Sequence, residues 1–189
     1  CQSSILQKKR IHQHNGDTSI RYTPEDWLNK MPFLPNIDES TNPIAVNTAE
    51  RFATAGNYRK AIDILLKDNS NPYYSLREYR LANYYNKIGN KNDSAAYWAK
   101  RCIEMKPLCY SPVRVLVNIA GKKGDSQKQL DLINSYLEKY QLEPLAREDK
   151  IVILQRLKKD QEALETIRKA KEYMPRNSKI KKLEEKLIK

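Results

Sequence analysis

Residues 89–107, GNKNDSAAYWAKRCIEMKP, begin at a glycine, continue with small and apolar residues at helical spacing, and end at a proline. Three other stretches have the same helical spacing and closing proline: GNYRKAIDILLKDNSNP (56–72) and GDSQKQLDLINSYLEKYQLEP (124–144), which also begin at a glycine, and KDQEALETIRKAKEYMP (159–175), which begins at a predicted turn without one. Their prolines, Pro72, Pro107, Pro144 and Pro175, follow one another at intervals of 35, 37 and 31 residues. Similarity within one chain at a period of about 20 to 50 residues indicates a repeat architecture.

Each of these stretches is predicted to be the second helix of a helix–turn–helix unit. In three of them, Gly56, Gly89 and Gly124 supply the positive φ that ends one helix and lets the chain reverse. The proline cannot continue a helix, so it separates one unit from the next. Small residues let the two helices of a unit approach closely, at Ala61, Ala95 and Ala163, whereas the third stretch has Gln129 at this point.

A further helical segment precedes each of these stretches: NPIAVNTAERFATAG, SLREYRLANYYNKIG, SPVRVLVNIAGKKG and PLAREDKIVILQRLKK. Three of them have the composition of a helix start. A cap followed by proline at the first helical position, or the spacing of a capping box, is predicted at Asn42–Pro43, Ser111–Pro112 and Ser75–Glu78.

These units resemble the tetratricopeptide repeat (TPR), a helix–turn–helix of about 34 residues. The match is best in the fourth unit, at Ala163, Ile167, Ala170 and Pro175, whereas the third unit diverges most. The resemblance implies an all-α fold, a right-handed superhelical array of about four repeats. We expect repeats at about 43–74, 75–109, 110–144 and 145–177, a C-terminal capping helix at 178–189, and an extended N-terminal tail.

Proteins of this family are mostly protein-binding scaffolds, and the first helix of each unit lines a concave groove. Asparagine side chains in such a groove can bond the backbone of an extended peptide, and lysine and arginine can pair with carboxylates. Arg114 and Asn118 stand four residues apart, like part of a carboxylate clamp. No clamp is predicted, because Asp149 falls near the matching position of the next repeat. The predicted groove residues are Tyr79, Asn83, Asn86, Lys87, Arg114, Asn118, Lys122, Gln155 and Arg156; an ordinary solvated helix surface is the alternative.

The N-terminus resembles a mature bacterial lipoprotein, because Cys1 is followed by a polar stretch without aromatic residues before Tyr22. The resemblance implies lipidation of Cys1, a tether at 1–20, and an anchor in the outer membrane, with the periplasmic side favoured over the cell surface. No cofactor besides this covalent lipid is expected. Residues 21–42 form a docking or capping segment, which either caps the first repeat or binds a partner through its apolar residues Trp27, Leu28, Met31, Phe33 and Leu34.

No catalytic or metal site is predicted. The two histidines, His12 and His14, lie in the polar tail without a nearby cysteine or carboxylate pair, and the glycines stand singly in the predicted turns. Cys102 and Cys109 either pair across a helix end or remain free, and free thiols are favoured because their Cα separation is expected to exceed the disulfide limit.

The formal net charge is +12, and residues 43–189 carry all of this excess. A basic body attracts anionic partners. The sequence therefore predicts a non-catalytic, lipid-anchored TPR adaptor that scaffolds a bacterial cell-envelope complex for outer-membrane assembly, secretion or transport through protein–protein contacts, with no small-molecule substrate. The alternative is a soluble basic helical-repeat protein that binds nucleic acid or acidic protein partners. The nucleic-acid reading is not favoured, because the tyrosines do not alternate with basic residues on one face.

Overall fold

The structure is a computed structural model that describes residues 44–68 and 75–187. Several predicted features lie outside these residues: Cys1 and the tether, the 21–42 segment with its five apolar residues, and the Asn42–Pro43 helix start. The proline of the first repeat, Pro72, also lies outside them.

Over residues 44–68 and 75–187 the chain forms nine α-helices and no strand. The all-α repeat fold predicted from the sequence is therefore confirmed. The helices are α1 (Ile44–Thr54), α2 (Tyr58–Lys67), α3 (Leu76–Ile88), α4 (Asn92–Met105), α5 (Tyr110–Lys122), α6 (Ser126–Lys139), α7 (Pro144–Arg156), α8 (Asp160–Tyr173) and α9 (Ser178–Leu187).

The helices are arranged as four consecutive pairs followed by α9. Within each pair the first helix (α1, α3, α5 or α7) packs on the second (α2, α4, α6 or α8), and each second helix packs on the first helix of the next pair. The first helices also contact one another in sequence, α1 with α3, α3 with α5 and α5 with α7, and α9 extends this series by contacting α7. We call the side-by-side row α1, α3, α5 and α7 the first-helix layer.

Small residues on the second helices lie in the core, as the repeat pattern predicts. Ala61, Ala95 and Ala163 are fully buried, and so are the larger residues Leu65 and Ile133. Burial of one such large aliphatic side chain contributes about 1.5 to 3 kcal/mol to stability. The core of the array is therefore built from the same positions that carry the sequence repeat.

The turns inside the first three pairs use glycine, with φ of +80° at Gly56, +87° at Gly89 and +75° at Gly124. The fourth turn is different, because Lys158 occupies the left-handed region at φ +56°. A side chain with a Cβ adopts this backbone conformation at a cost of about 1 to 2 kcal/mol. The fourth turn thus has the shape of the others without their glycine.

The third pair accommodates Gln129, where the other pairs have a small residue, by means of a glycine on the facing helix. A Cβ added at Gly121 would lie 2.6 Å from Gln129 Nε2. The Gln129 side chain is buried and donates a hydrogen bond to the Val117 carbonyl oxygen over 2.9 Å. Its Oε1 accepts a hydrogen bond from Arg156 of α7. The close approach that a small residue gives elsewhere is here made by Gly121.

The predicted helix starts agree with the structure only in part. Ser75 is the cap residue of α3, as predicted, but it lies in the left-handed region at φ 56° and makes no side-chain cap bond; among residues 44–68 and 75–187 its buried hydroxyl oxygen has no hydrogen-bond partner. Helix α5 begins at Tyr110 with Cys109 as its cap residue, which places Ser111 and Pro112 inside the first turn, where proline still loses no helical hydrogen bond. Pro144 is the first residue of α7, as the segment PLAREDKIVILQRLKK predicts, and it lies beyond the end of α6 at Lys139.

Candidate functional site

Polar side chains connect each member of the first-helix layer to the next. Arg80 of α3 donates to the Glu50 carboxylate of α1 over 2.8 Å. Lys122 of α5 donates to the Asn86 side-chain oxygen of α3 over 2.7 Å, and it also bonds the Asn86 carbonyl. These bonds join neighbouring first helices side by side.

The next contact in this series is an ion pair. Arg114 of α5 donates to both carboxylate oxygens of Asp149 of α7, over 2.7 and 2.9 Å, and the Tyr110 hydroxyl donates to the same carboxylate over 3.0 Å. The hydrogen bonds to Asp149 raise the pKa of the Arg114 guanidinium above its usual value. The positive charge of Arg114 is therefore paired with Asp149, although the Arg114 side chain is exposed.

These contacts also fix the direction of the first helices. Asn86 near the end of α3 meets Lys122 at the end of α5, and Arg114 in the first half of α5 meets Asp149 in the first half of α7. The first helices therefore run in the same direction, and their C-terminal ends lie together at one edge of the array.

The predicted groove residues that form hydrogen bonds to another helix include Asn86, Arg114, Lys122, Gln155 and Arg156. Two of them belong to the last pair. Gln155 donates to the Leu183 carbonyl oxygen over 3.1 Å, which ties α7 to α9, and Arg156 donates to the Ser126 hydroxyl over 3.3 Å as well as to Gln129. Asn86 is also buried. These residues connect repeats to one another, a role that the sequence did not predict for them.

The remaining four groove residues have different surroundings. Tyr79 is half-buried, and burial raises the pKa of its hydroxyl, an effect that the Ser111 side chain opposes. Asn83 is half-buried, whereas Lys87 and Asn118 are exposed. Toward the residues that the structure describes, the side chains of Asn83, Lys87 and Asn118 make no hydrogen bond.

Two rows of equivalent positions cross the first-helix layer. Taking the turn positions Gly89, Gly124 and Lys158 as the repeat register, successive units are offset by 35 and 34 residues. In this register Asn83, Asn118 and Val152 occupy equivalent positions. We call these positions the amide row; its third member is Val152, which is half-exposed. One helical turn further on, Lys87, Lys122 and Arg156 form the cation row.

The cation row keeps its positive charge. Within 44–68 and 75–187, Lys122 bonds the two oxygens of Asn86, and Arg156 bonds the hydroxyl of Ser126 and the amide oxygen of Gln129, all of which are neutral groups. All three members of the row lie in the last turn of a first helix, where the helix dipole also favours a cation. Two of these cations are held in place by hydrogen bonds, and none of those bonds neutralises them.

A cluster of aromatic and basic residues, which the sequence did not predict, lies between α3 and α4. The guanidinium carbons of Arg77 and Arg101 lie 5.9 and 5.8 Å from the centre of the Trp98 ring, and Tyr97 meets that ring edge-on at 5.2 Å. The four-residue spacing of Tyr97 and Arg101 on one helix is the signal that could have revealed half of it. Arg77 also donates to the Leu65 carbonyl oxygen at the end of α2, so the cluster joins the first two pairs.

Both described cysteines, Cys102 and Cys109, are free and buried, and burial raises the pKa of each thiol. The Cys102 thiol donates to the Ser75 carbonyl oxygen over 3.7 Å. Across 44–68 and 75–187, the histidine, cysteine and acidic side chains form no group that could hold a metal ion. The helices in the same ranges are all too short or too polar to cross a bilayer.

A comparison with protein-family models gives no match, and a comparison with the curated proteins gives none either. Among solved structures, the chain is similar to MamA AMB-1, with 19% identity and a TM-score of 0.49 over 72% of this chain and 74% of that one. It is also similar to MamA MSR-1, with 20% identity and a TM-score of 0.48 over 72% of this chain and 78% of that one.

Proposed function

We propose that this protein is a non-catalytic adaptor that binds an extended, acidic segment of a partner protein across its first-helix layer. The observation that carries this proposal is the parallel course of the amide row and the cation row over α3, α5 and α7. Asn83 and Asn118 have side-chain amides available for a peptide backbone, and Lys87, Lys122 and Arg156 have charges available for carboxylates.

The spacing of the rows sets the expected spacing of acidic residues in the partner. Helices that pack side by side have axes about 8 to 10 Å apart, so equivalent side chains on successive first helices repeat at about that distance. An extended chain advances about 3.3 Å per residue, and three residues therefore cover about 10 Å. A partner with an acidic residue at every third position would place one carboxylate near each member of the cation row.

Two synthetic peptides of identical composition test this proposal. One has glutamates at every third position among glycine and serine, and the other has the same glutamates grouped at one end. We expect the evenly spaced peptide to bind more tightly, as measured by fluorescence anisotropy. Equal affinity for the two peptides would show that the cation row attracts charge without a defined register, and the proposed binding mode would be wrong.

The double variant Asn83→Ala/Asn118→Ala tests the amide row. Two lost hydrogen bonds, each contributing about 1 kcal/mol, predict a fall in affinity for the evenly spaced peptide of roughly thirtyfold. The matched control is Lys100→Ala/Ser135→Ala, which changes two exposed residues on second helices. An equal loss in the control would refute binding on the first-helix layer.

We also propose, from the resemblance of the N-terminus to bacterial lipoproteins, that a lipid on Cys1 anchors the protein to the outer membrane and that its partners belong to an envelope complex. The support is the sequence alone. The intact mass of the protein isolated from membranes tests it. An excess that matches two or three acyl chains, absent from Cys1→Ala, is the expected result, and an unmodified Cys1 in the soluble fraction would contradict the proposal.

A further inference from the structure

The net positive charge of the protein is concentrated at one edge of the array. The turn inside each pair, counted from the last turn of the first helix to the first turn of the second, spans residues 51–60, 85–94, 119–128 and 153–162. These four segments hold eleven basic and four acidic residues. The basic residues are Arg51, Arg59, Lys60, Lys87, Lys91, Lys122, Lys123, Lys128, Arg156, Lys158 and Lys159, and every one of them is exposed.

The four turns lie next to one another in space, and we call them together the turn edge. Asn86 and Lys122 join the second turn to the third, and Arg156 joins the fourth turn to the third through Ser126. Residues 55–59 of the first turn share an open depression of about 420 Å³ with Ile88 of the second. The basic residues of the four segments therefore form one continuous surface.

The connections between pairs have a different charge balance. Those at 102–113 and 136–147 together hold three basic and three acidic residues. The last connection, at 170–181, is richer in lysine, but Lys171 pairs with Glu184 and Lys179 with Glu148. The turn edge therefore carries a net charge of +7 (eleven basic minus four acidic residues), whereas the two connections that join the second pair to the third and the third to the fourth are balanced.

We propose that the turn edge docks on the surface of a bilayer that contains anionic phospholipids. Eight of its eleven cations are lysines, and a lysine ammonium is a mobile, hydrated point charge that suits headgroups without fixed positions, whereas arginine suits planar, bidentate recognition. A cluster of basic residues close to such a surface is attracted by its negative potential. The surface offered to the bilayer extends over four successive turns that lie next to one another.

Vesicle co-sedimentation tests the proposal with the full chain carrying Cys1→Ala, so that no acyl group contributes. The vesicles are phosphatidylcholine alone or phosphatidylcholine mixed with phosphatidylglycerol. The test variant is Arg59→Gln/Lys91→Gln/Lys123→Gln/Lys128→Gln, which leaves both the amide row and the cation row intact, so this proposal does not depend on the partner-binding one. Its control, Lys100→Gln/Lys139→Gln/Lys182→Gln/Lys186→Gln, removes four exposed charges elsewhere.

We expect binding to the mixed vesicles only, weakened by added salt, with a roughly tenfold or greater loss of affinity in the test variant, because each basic residue near such a surface contributes about fivefold. The control is expected to lose less than about threefold. Equal losses in the two variants would attribute the binding to overall charge and overturn the proposal. Absence of vesicle binding, together with duplex DNA binding that the test variant loses, would overturn it in favour of nucleic acid.

Discussion

Because Gly121 lies against Gln129, we expect Gly121→Ala to destabilise the protein when residue 129 is glutamine and to stabilise it when residue 129 is alanine. Gly121 lies inside α5, where replacement of glycine by alanine ordinarily stabilises a helix by about 1 kcal/mol. Here the new Cβ would lie 2.6 Å from the Gln129 amide nitrogen, a distance that the two atoms cannot keep. The amide would have to move and lose its bond to the Val117 carbonyl oxygen.

An unpaired amide in this buried position costs about 1 to 3 kcal/mol. We therefore expect Gly121→Ala to lower the free energy of unfolding by about 1 kcal/mol in the wild-type protein. In a Gln129→Ala background the obstacle is gone, and the same substitution should raise the free energy of unfolding by about 1 kcal/mol. The two effects differ by about 2 kcal/mol, which is the coupling between the two sites.

Urea unfolding followed by circular dichroism measures all four proteins of this cycle, and midpoints are compared at a common slope because repeat arrays can depart from two-state behaviour. Gly124→Ala is the control. It has φ +75° and no atom within 4 Å of an added Cβ, so its cost comes from the backbone and should be the same in both backgrounds. If Gly121→Ala shifts the midpoint equally with and without Gln129, the steric explanation is refuted.

Three further outcomes follow from the structure. Lys158→Gly should raise the free energy of unfolding by up to about 1 kcal/mol, because it relieves the left-handed backbone at φ 56°; an unchanged or lower urea midpoint would contradict this. Burial raises the pKa of Tyr84 to about 12, so the folded state keeps a proton that the unfolded state loses above about pH 10, and stability should fall as pH rises from 10 to 12. Tyr84→Phe should lessen this fall and be nearly neutral at pH 7, since the hydroxyl has no hydrogen-bond partner among the residues that the structure describes. A steeper alkaline fall in the variant would disprove the assignment. In a Cys1→Ala background, Cys102 and Cys109 should react with a thiol reagent at pH 8 only as fast as the protein unfolds, and immediate reaction would show that they are accessible.

Most of the fold could be predicted from the sequence, because the repeat is defined by residues that act through their own backbone freedom or size. Gly56, Gly89 and Gly124 mark turns through their own conformational freedom, and Ala61 and Ala95 mark close packing through their small size. The fourth turn has no such mark, because Lys158 is held at positive φ by its neighbours. The start of α5 at Tyr110 was missed for a similar reason, since proline is tolerated throughout the first turn of a helix and does not by itself identify the first residue.

The candidate site was less predictable, because its side chains act across repeats. Repeat spacing places Arg114 and Asn118 on the same face of α5, and it makes them equally available to a ligand. Whether either is available depends on the residue that the next first helix sets beside it. Asp149 pairs with Arg114 and neutralises it, whereas the Asn118 side chain makes no hydrogen bond to any residue in 44–68 or 75–187. That difference arises from the packing register of helices about 35 residues apart in sequence, which the composition of one helix does not contain.

One first helix can both pack against its neighbour and present side chains for binding, because residues three positions apart point in directions that differ by a small rotation around the helix axis. Asn86 follows Asn83 by three residues, which rotates its direction by about 60° around the helix axis. That rotation turns Asn86 toward α5, where it is buried against Lys122, and leaves Asn83 half-buried on the surface. Lys122 has both roles, because its hydrogen bond to Asn86 joins α5 to α3 and also fixes the position of a charged group in the cation row. Stability of the array and the position of its charges are therefore set by the same contacts, and a change at Asn86 should disturb both, whereas a change at Asn83 should affect binding alone.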